Sequence, residues 1–169
     1  FIGGWGANFS LYRSTSKPRV DPLSPENPIV IGAGPLVGTV TPSAAKIVGT
    51  TKLPLSGTIS GVVGGSKKCG QMLKAAGYDH LVITGAAGRP SFLLIQDERT
   101  EICDARPIWG KKDLYETTDL LAAKYGGGVI AIGRSGEKQV KFSMSMVDKN
   151  TLGRGGFGAV MGSKNLKAI

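Results

Sequence analysis

Apolar residues in this chain come in short, β-branched runs that glycine, proline or aspartate closes almost at once, and this allows many short strands but few long elements. The clearest run is Ile29 to Ala33, ended by Gly34 and Pro35. Lys46 to Thr50, Leu81 to Thr84, Phe92 to Gln96, Glu101 to Asp104, Val129 to Ile132 and Val140 to Val147 are further strand candidates. Only two stretches carry convincing helical periodicity: Lys67 to Ala76, through Cys69, Met72, Leu73 and Ala76, and Asp113 to Tyr125, through Leu114, Leu121 and Tyr125. At the start, Gly3, Gly4 and Gly6 suggest a turn before a short helix bearing Phe9, Leu11 and Tyr12. Pro18 and the three prolines between Asp21 and Pro28 make a connecting loop.

Each periodic stretch is followed by a strand, a Gly-x-x-Gly turn and another strand. The turns are Gly85 to Gly88 and, 48 residues later, Gly133 to Gly136. This recurrence points to an internal duplication.

With 169 residues the chain fits one domain, 1–169. No apolar run approaches the length of a membrane span and no signal pattern opens the sequence, so a cytoplasmic protein is expected. Cys69 and Cys103 read as free thiols, and His80, the one histidine, reads as a turn residue beside Asp79. A Ser/His/Asp or Cys/His catalytic set has no material here, and no zinc spacing exists.

The net charge of +9 is unevenly spread. No acid occurs from Asn27 to Tyr78, a stretch holding Lys46, Lys52, Lys67, Lys68 and Lys74. Eight of the 12 acids lie between Asp79 and Asp119, and the last segment, from Lys149 to Ile169, is again acid-free, with Lys149, Arg154, Lys164 and Lys167. Two basic, glycine-rich segments of this kind suit one anion-binding seat built from distant pieces. Three glycine-dense loops, Gly3 to Gly6, Gly57 to Gly70 and Gly153 to Gly162, are where backbone N–H groups can converge on an anion. The turn Gly61 to Gly65 leads into Ser66, Lys67 and Lys68 at a helix start, a place for a phosphate. It is no Walker A loop, since no glycine precedes the lysine at the required position. The run Gly153 to Gly158 fits Gly-x-Gly-x-x-Gly but lacks the acidic residue a dinucleotide site needs. Charge alone permits nucleic-acid binding, yet no recognised module for it is present.

Seven blocks, in order and spacing, resemble the amino-terminal domain of the tungsten-containing aldehyde ferredoxin oxidoreductases. They are VDPLSPEN from Val20, GPLVGT from Gly34, TKLPLSG from Thr51, LKAAGYD from Leu73, Ile102 to Lys111 with Asp104, Ala105 and Trp109, IGRSGE from Ile132, and GRGGFGAVMGSKNLKAI from Gly153. The resemblance implies an α+β fold of two intertwined repeats, each of three strands, a helix and three strands (β3-α-β3). It implies a base for a bis-pterin tungsten cofactor, tungstopterin, with magnesium bridging the cofactor phosphates. Further domains of the same enzyme would hold a 4Fe-4S cluster and the substrate cavity, and ferredoxin or another carrier would take the electrons from aldehyde oxidation. A related branch of the family handles aromatic acyl-CoA thioesters. On this pattern the chain begins after the family's opening strand and is a domain of a longer enzyme, inactive alone, with a homo-oligomer possible and neither nucleic acid nor membrane as a partner. An anion- or nucleotide-binding module that kept the fold without the chemistry is the alternative.

Carried over by position, the expected cofactor contacts are Lys46, Gly64, Gly65, Ser66, Asn150, Thr151, Gly153, Arg154, Gly155 and Gly156, with the backbone carbonyl of Thr151 on magnesium. Lys46 and Asn150 stand where the family has arginines, which removes two bidentate forks. No asparagine stands between Val62 and Ser66, where the family's magnesium-bridging one is expected, and Lys67 and Lys68 are candidates to restore the missing charge. Trp5 replaces an arginine between glycines, and with Gly3, Gly4, Gly6 and Asn8 looks closer to the acyl-CoA branch.

Overall fold

The computed structural model describes residues 2–66 and 68–169. Helix α1 is Gly4–Thr15 and strands β1, β2 and β3 are Ile29–Ala33, Lys46–Lys52 and Ile59–Gly65. Then come α2 (Cys69–Ala75), β4 (His80–Ile83), β5 (Ser91–Gln96), β6 (Arg99–Asp104) and α3 (Leu114–Tyr125). The last part holds β7 (Ile130–Ile132), α4 (Arg134–Glu137), β8 (Ser145–Val147), β9 (Asn150–Leu152), α5 (Phe157–Ser163) and β10 (Leu166–Ala168).

The strands form two sheets, of order β3-β2-β1-β4 and β6-β5-β10-β7-β8-β9. Within them the series β3-β2-β1-β4 and β9-β8-β7-β10 are the same arrangement made twice, antiparallel at every step. Each has a meander, then a short helix (α2 or α5), then a strand returning beside the first strand of its meander. The residue just after each helix cap is left-handed, Gly77 in one half and Asn165 in the other. The halves interlock because β5 and β6, which follow β4 in the chain, leave the first sheet and join the second, β5 running parallel to β10. This is the expected α+β architecture of intertwined repeats.

The duplication therefore lies elsewhere than the 48-residue recurrence suggests. The turn from Gly85 to Gly88 carries the chain between sheets, whereas the stretch from Gly133 to Gly136 winds into α4 between two neighbouring strands of one sheet. The same helical turn removes most of the strand expected from Val140, leaving only Ser145–Val147. The glycine-dense segment after Gly57 is largely a strand, β3, and the opening glycine turn is already helix from Gly4.

The main core lies between the two sheets and draws on Ile29, Ile31, Ile47, Val62, Ile130, Ile132, Val147, Leu152, Phe157 and Met161. A smaller cluster under α3 joins Leu121 to Phe92, Ile108, Val129 and Ala131. Phe157 sits against Gly49, where a Cβ would come within 2.7 Å of its ring, so the first residue of α5 is buttoned into the first sheet. Local chemistry sets α3: the Asp113 carboxylate accepts from the Glu116 N–H, the Glu116 carboxylate accepts from the Asp113 N–H, and Gly126 ends the helix in a left-handed conformation.

On the other face of the first sheet lies α1. Asn8 donates to the carbonyls of Val30 (3.3 Å) and Val48 (3.0 Å), and its Oδ1 faces His80 Nδ1 at 2.7 Å. Since the Asn8 amide nitrogen is committed to carbonyls, its oxygen accepts and the His80 proton sits on Nδ1. His80 is thus a β4 residue that fixes α1 to the sheet, which corrects the reading of it as a turn residue.

Candidate functional site

Strand β3 is an edge strand, and its two faces have different fates. Lys46 is the register partner of Gly65, Ile47 of Gly64, and Val48 of Val63. Antiparallel partners point to the same face, so Lys46, Val63 and Gly65 look one way while Val62 and Gly64 look the other. Val62 and Gly64 are buried against the second sheet. A side chain at Gly64 would stand 2.5 Å from Val147 Cγ1 and 3.3 Å from the Thr151 carbonyl oxygen, so only glycine lets β3 close against β8 and β9 here. Gly65 is the opposite case. It has no positive φ to explain it, and a Cβ there would meet nothing within 4 Å. Gly65 therefore leaves the backbone bare on the face that Lys46 shares, with room for a close approach.

Asn150 and Thr151, in β9, are exposed beside this seam, and the Gly153 to Gly156 loop continues from them along β3. That loop is glycine for packing reasons. Gly153 (φ 67°) lies on Val62, where a Cβ would come within 2.2 Å. Gly155 (φ 90°) lies on Leu53, and Gly156 (φ 96°) lies 2.1 Å, as Cβ, from the Lys141 carbonyl oxygen. Arg154 is exposed between them. Val62 is three residues before Gly65, so the loop begins about 10 Å along the strand from Lys46 and on the other face. The structure thus brings Lys46, Gly64, Gly65, Asn150, Thr151 and Gly153 to one seam, with Arg154, Gly155 and Gly156 further along it. The single converging seat is corrected to two flanks of one edge strand. None of these residues lines the apolar cavity of about 320 Å³ bounded by Cys69, Met72, Leu93 and Tyr125.

The helix start after Gly65 is not a phosphate seat. The Asp148 carboxylate already occupies it: Oδ2 accepts from Ser66 Oγ (2.7 Å) and from the N–H groups of Lys68 (2.9 Å) and Cys69 (2.8 Å), while Oδ1 accepts from the Val129 N–H (2.9 Å). Burial opposes the charge on Asp148, but these donors outweigh it and hold the carboxyl below its ordinary range. Ser66 Oγ also accepts from the Gly70 N–H at 2.9 Å, so its hydroxyl serves as an internal cap. Burial and the nearby Asp148 charge push the Cys69 thiol well up, leaving it unreactive.

Five of the nine cations in the two acid-free segments are engaged by other groups of the domain, two of them in surface ion pairs. Lys52 donates to the Val20 carbonyl, Lys74 pairs with Asp79, and Lys149 pairs with Asp119. Lys164, 2% exposed, donates to the carbonyls of Pro25 and Gly85, and burial pushes its ammonium down to about 8. Lys167, fully buried, meets the Glu137 carboxylate at 2.5 Å. Lys46, Lys68 and Arg154 are exposed and enter none of the described ion pairs. Lys67 lies outside the described residues. The sequence reading missed Asp148, whose one signal was the Asp-Lys pair: both residues adopt positive φ (45° and 72°) in the tight turn between β8 and β9.

The whole chain, residues 1–169, matches the family model of the aldehyde ferredoxin oxidoreductase N-terminal domain. It is 45% identical to a tungsten-containing aldehyde ferredoxin oxidoreductase of Pyrococcus furiosus, with all of this chain aligned to 28% of that protein. It is 38% identical to the WOR-like subunit of an aliphatic sulfonate oxidoreductase of the same organism, all of this chain on 30% of that one. Among solved structures, the active-site complex BamBC of benzoyl coenzyme A reductase in complex with 1,5-dienoyl-CoA superposes with a TM-score of 0.93 at 32% identity, covering 99% of this chain and 26% of that chain. The chain spans about 28% of the length of the curated relative from Pyrococcus furiosus. No helix among the described residues is long and apolar enough to cross a membrane. Matched over its full length, with the same two-sheet fold of interlocked halves, the chain belongs to the family of aldehyde ferredoxin oxidoreductase N-terminal domains.

Proposed function

We propose that this domain is the platform on which a larger oxidoreductase seats tungstopterin. The observation that carries the reading is the pairing of Lys46 with Gly65: an exposed ammonium beside an unexplained strand glycine whose side-chain space is empty. The residues fit such a group. Lys46 would contact a pterin phosphate, a charge-assisted contact contributing about 1.5 to 3 kcal/mol. Gly65 would let the ligand lie against the bare backbone, and the exposed flank of Asn150, Thr151 and Arg154 would hold its other side. The Thr151 carbonyl, facing the seam at Gly64, is the candidate magnesium ligand.

When bound, tungstopterin would supply two-electron exchange with an aldehyde or related carbonyl substrate. This chain's own part is binding and orientation. The 4Fe-4S cluster, the substrate cavity and the contact with ferredoxin belong, on this reading, to other domains of the same cytoplasmic enzyme. Lys46, Gly65, Asn150, Thr151 and Arg154 are exposed here, as a base needs them to be if other domains form its roof.

The test is Gly65→Val in the full-length protein, purified without oxygen. Because a Cβ at 65 meets nothing, thermal stability of the metal-free protein should hold within the usual surface range of about 0.5 kcal/mol. Tungsten and pterin per mole should fall sharply, and Lys46→Ala should lower both as well. Full occupancy in both variants rejects the platform reading.

A further inference from the structure

The outer face of β3 carries more than the pairing of Gly65 with Lys46. Side chains alternate along a strand, so Ile59, Gly61, Val63 and Gly65 share the face on which Lys46 lies. Helix α1 packs over β1 and β2, and on the edge strand Ile59 and Val63 stay 42% and 38% exposed. Trp5, in the first turn of α1, reaches across to this strand. It meets Gly61 with the pyrrole side of its indole: Nε1, Cε2 and Cδ1 are the atoms nearest to a Cβ at 61, at 1.6 to 2.6 Å.

Burying an indole is among the largest apolar gains a side chain can offer, yet Trp5 remains half exposed in this position. With its pyrrole side against the strand, the rest of the ring projects away from Gly61. From Gly61 to Gly65 the strand runs about 13 Å. Along that length stand, in order, an aromatic ring, the exposed apolar side chain of Val63, and a bare glycine beside an ammonium. A flat heterocycle with an anionic tail matches this series. Its tail meets Lys46, the backbone at Gly65 permits close approach, the ring lies over Val63, and the far end of the ring meets the indole.

We infer that Trp5 is a ligand-binding side chain, its indole the aromatic wall against which the planar ring of the pterin packs while Lys46 holds the phosphate. This rests on the platform reading and adds to it the group that orients the ring.

The test uses the intact full-length protein, purified without oxygen, with Trp5→Leu and Trp5→Phe compared with the parent. The rate at which pterin leaves the protein, read from the fluorescence of oxidised pterin in the filtrate, should rise about tenfold in Trp5→Leu. Trp5→Phe keeps an aromatic face and should stay within about threefold of the parent. Both variants take the indole off Gly61, so the cofactor-free proteins should melt alike. Unchanged release in Trp5→Leu overturns the inference, and so does equal acceleration in both variants, which would mark a packing role. Lys46→Ala and Gly65→Val, run alongside, separate the two readings. If they lose pterin while Trp5→Leu holds it as the parent does, only the wall falls. If those two hold it, the platform reading falls and the wall with it.

Discussion

Asp148 and Ser66, 82 residues apart in the chain, meet at 2.7 Å, and through this contact the tight turn between β8 and β9 closes the start of α2. Four donors converge on one carboxylate here: the Ser66 hydroxyl and the N–H groups of Lys68, Cys69 and Val129. Asp148→Asn keeps the shape but turns an acceptor-only group into one that presents two N–H donors to other donors. We expect a loss of about 2 kcal/mol at pH 7, read from denaturant midpoints. The carboxyl is held below its ordinary 3.8, so its contribution is present above that value and disappears as pH falls through the lower folded value. Melting temperature followed from pH 6 down to pH 2.5 should therefore show a shallower acid limb in Asp148→Asn. An identical limb in both proteins would disprove the assignment.

Lys167 and Glu137 form the one described ion pair buried on both sides, with side-chain exposures of 0% and 4%. Lys167 also donates to the Lys112 carbonyl at 2.9 Å, and the Glu137 carboxylate accepts from the Gly110 N–H, so the pair ties β10 and α4 to the loop before α3. Removing one partner strands the other charge, and Lys167→Met should cost about 3 to 5 kcal/mol. Adding Glu137→Gln should return part of that loss. Strict additivity of the two substitutions would show that the charges do not depend on each other.

His80 should give the fold a weak pH dependence near neutrality. Its burial favours the neutral ring, with Lys74 adding to this and Asp79 opposing it, and the net shift is downward from 6.5. A histidine depressed in the folded state supports stability fully above the unfolded value, and that support fades as pH drops through the folded value. Comparing melting curves at pH 5 and pH 7.5, the parent should lose more between them than His80→Gln does. The neighbouring Gly32→Ala should be far worse than either, because its Cβ would lie 2.3 Å from both Asn8 Oδ1 and His80 Nδ1.

Legibility from sequence tracked how far each element's side chains advertise its environment. Strand β1 was readable to the residue because five consecutive apolar or small positions, all buried, end at a glycine and a proline. Helix α3 announced itself through the helical spacing of Leu114, Leu121 and Tyr125, while its capping box became clear only in the fold. By contrast, α5 escaped notice because it is buried nearly all round, with no polar face to set a period. Strand β3 hid behind its glycines, which looked like a loop but are there for three separate reasons: Trp5 on Gly61, the second sheet on Gly64, and open space at Gly65. The charge clusters were visible, but their use was not. Lys164 and Lys167 look like surface cations in the sequence, and only packing reveals that they are internal donors. Likewise the glycine run from Gly153 was recognisable as special, while its contact with Val62 depends on a strand pairing that spacing alone does not disclose.

Gly61 and Gly65 make the sharpest comparison, two glycines on the same face of β3 with opposite surroundings. At Gly61 a Cβ would overlap the Trp5 indole, with Nε1 only 1.6 Å away, so Gly61→Ala must lift the half-exposed ring off the strand. In a Trp109→Phe background, which isolates Trp5 among this chain's two tryptophans, the emission should shift to the red and stability should fall by about 1 to 3 kcal/mol. Gly65→Ala, four residues on, should leave both readings unchanged, because nothing of the domain occupies that space. If Gly65→Ala destabilised the domain as much as Gly61→Ala, the glycine would be serving the fold, and the case for a ligand resting on it would lose its footing.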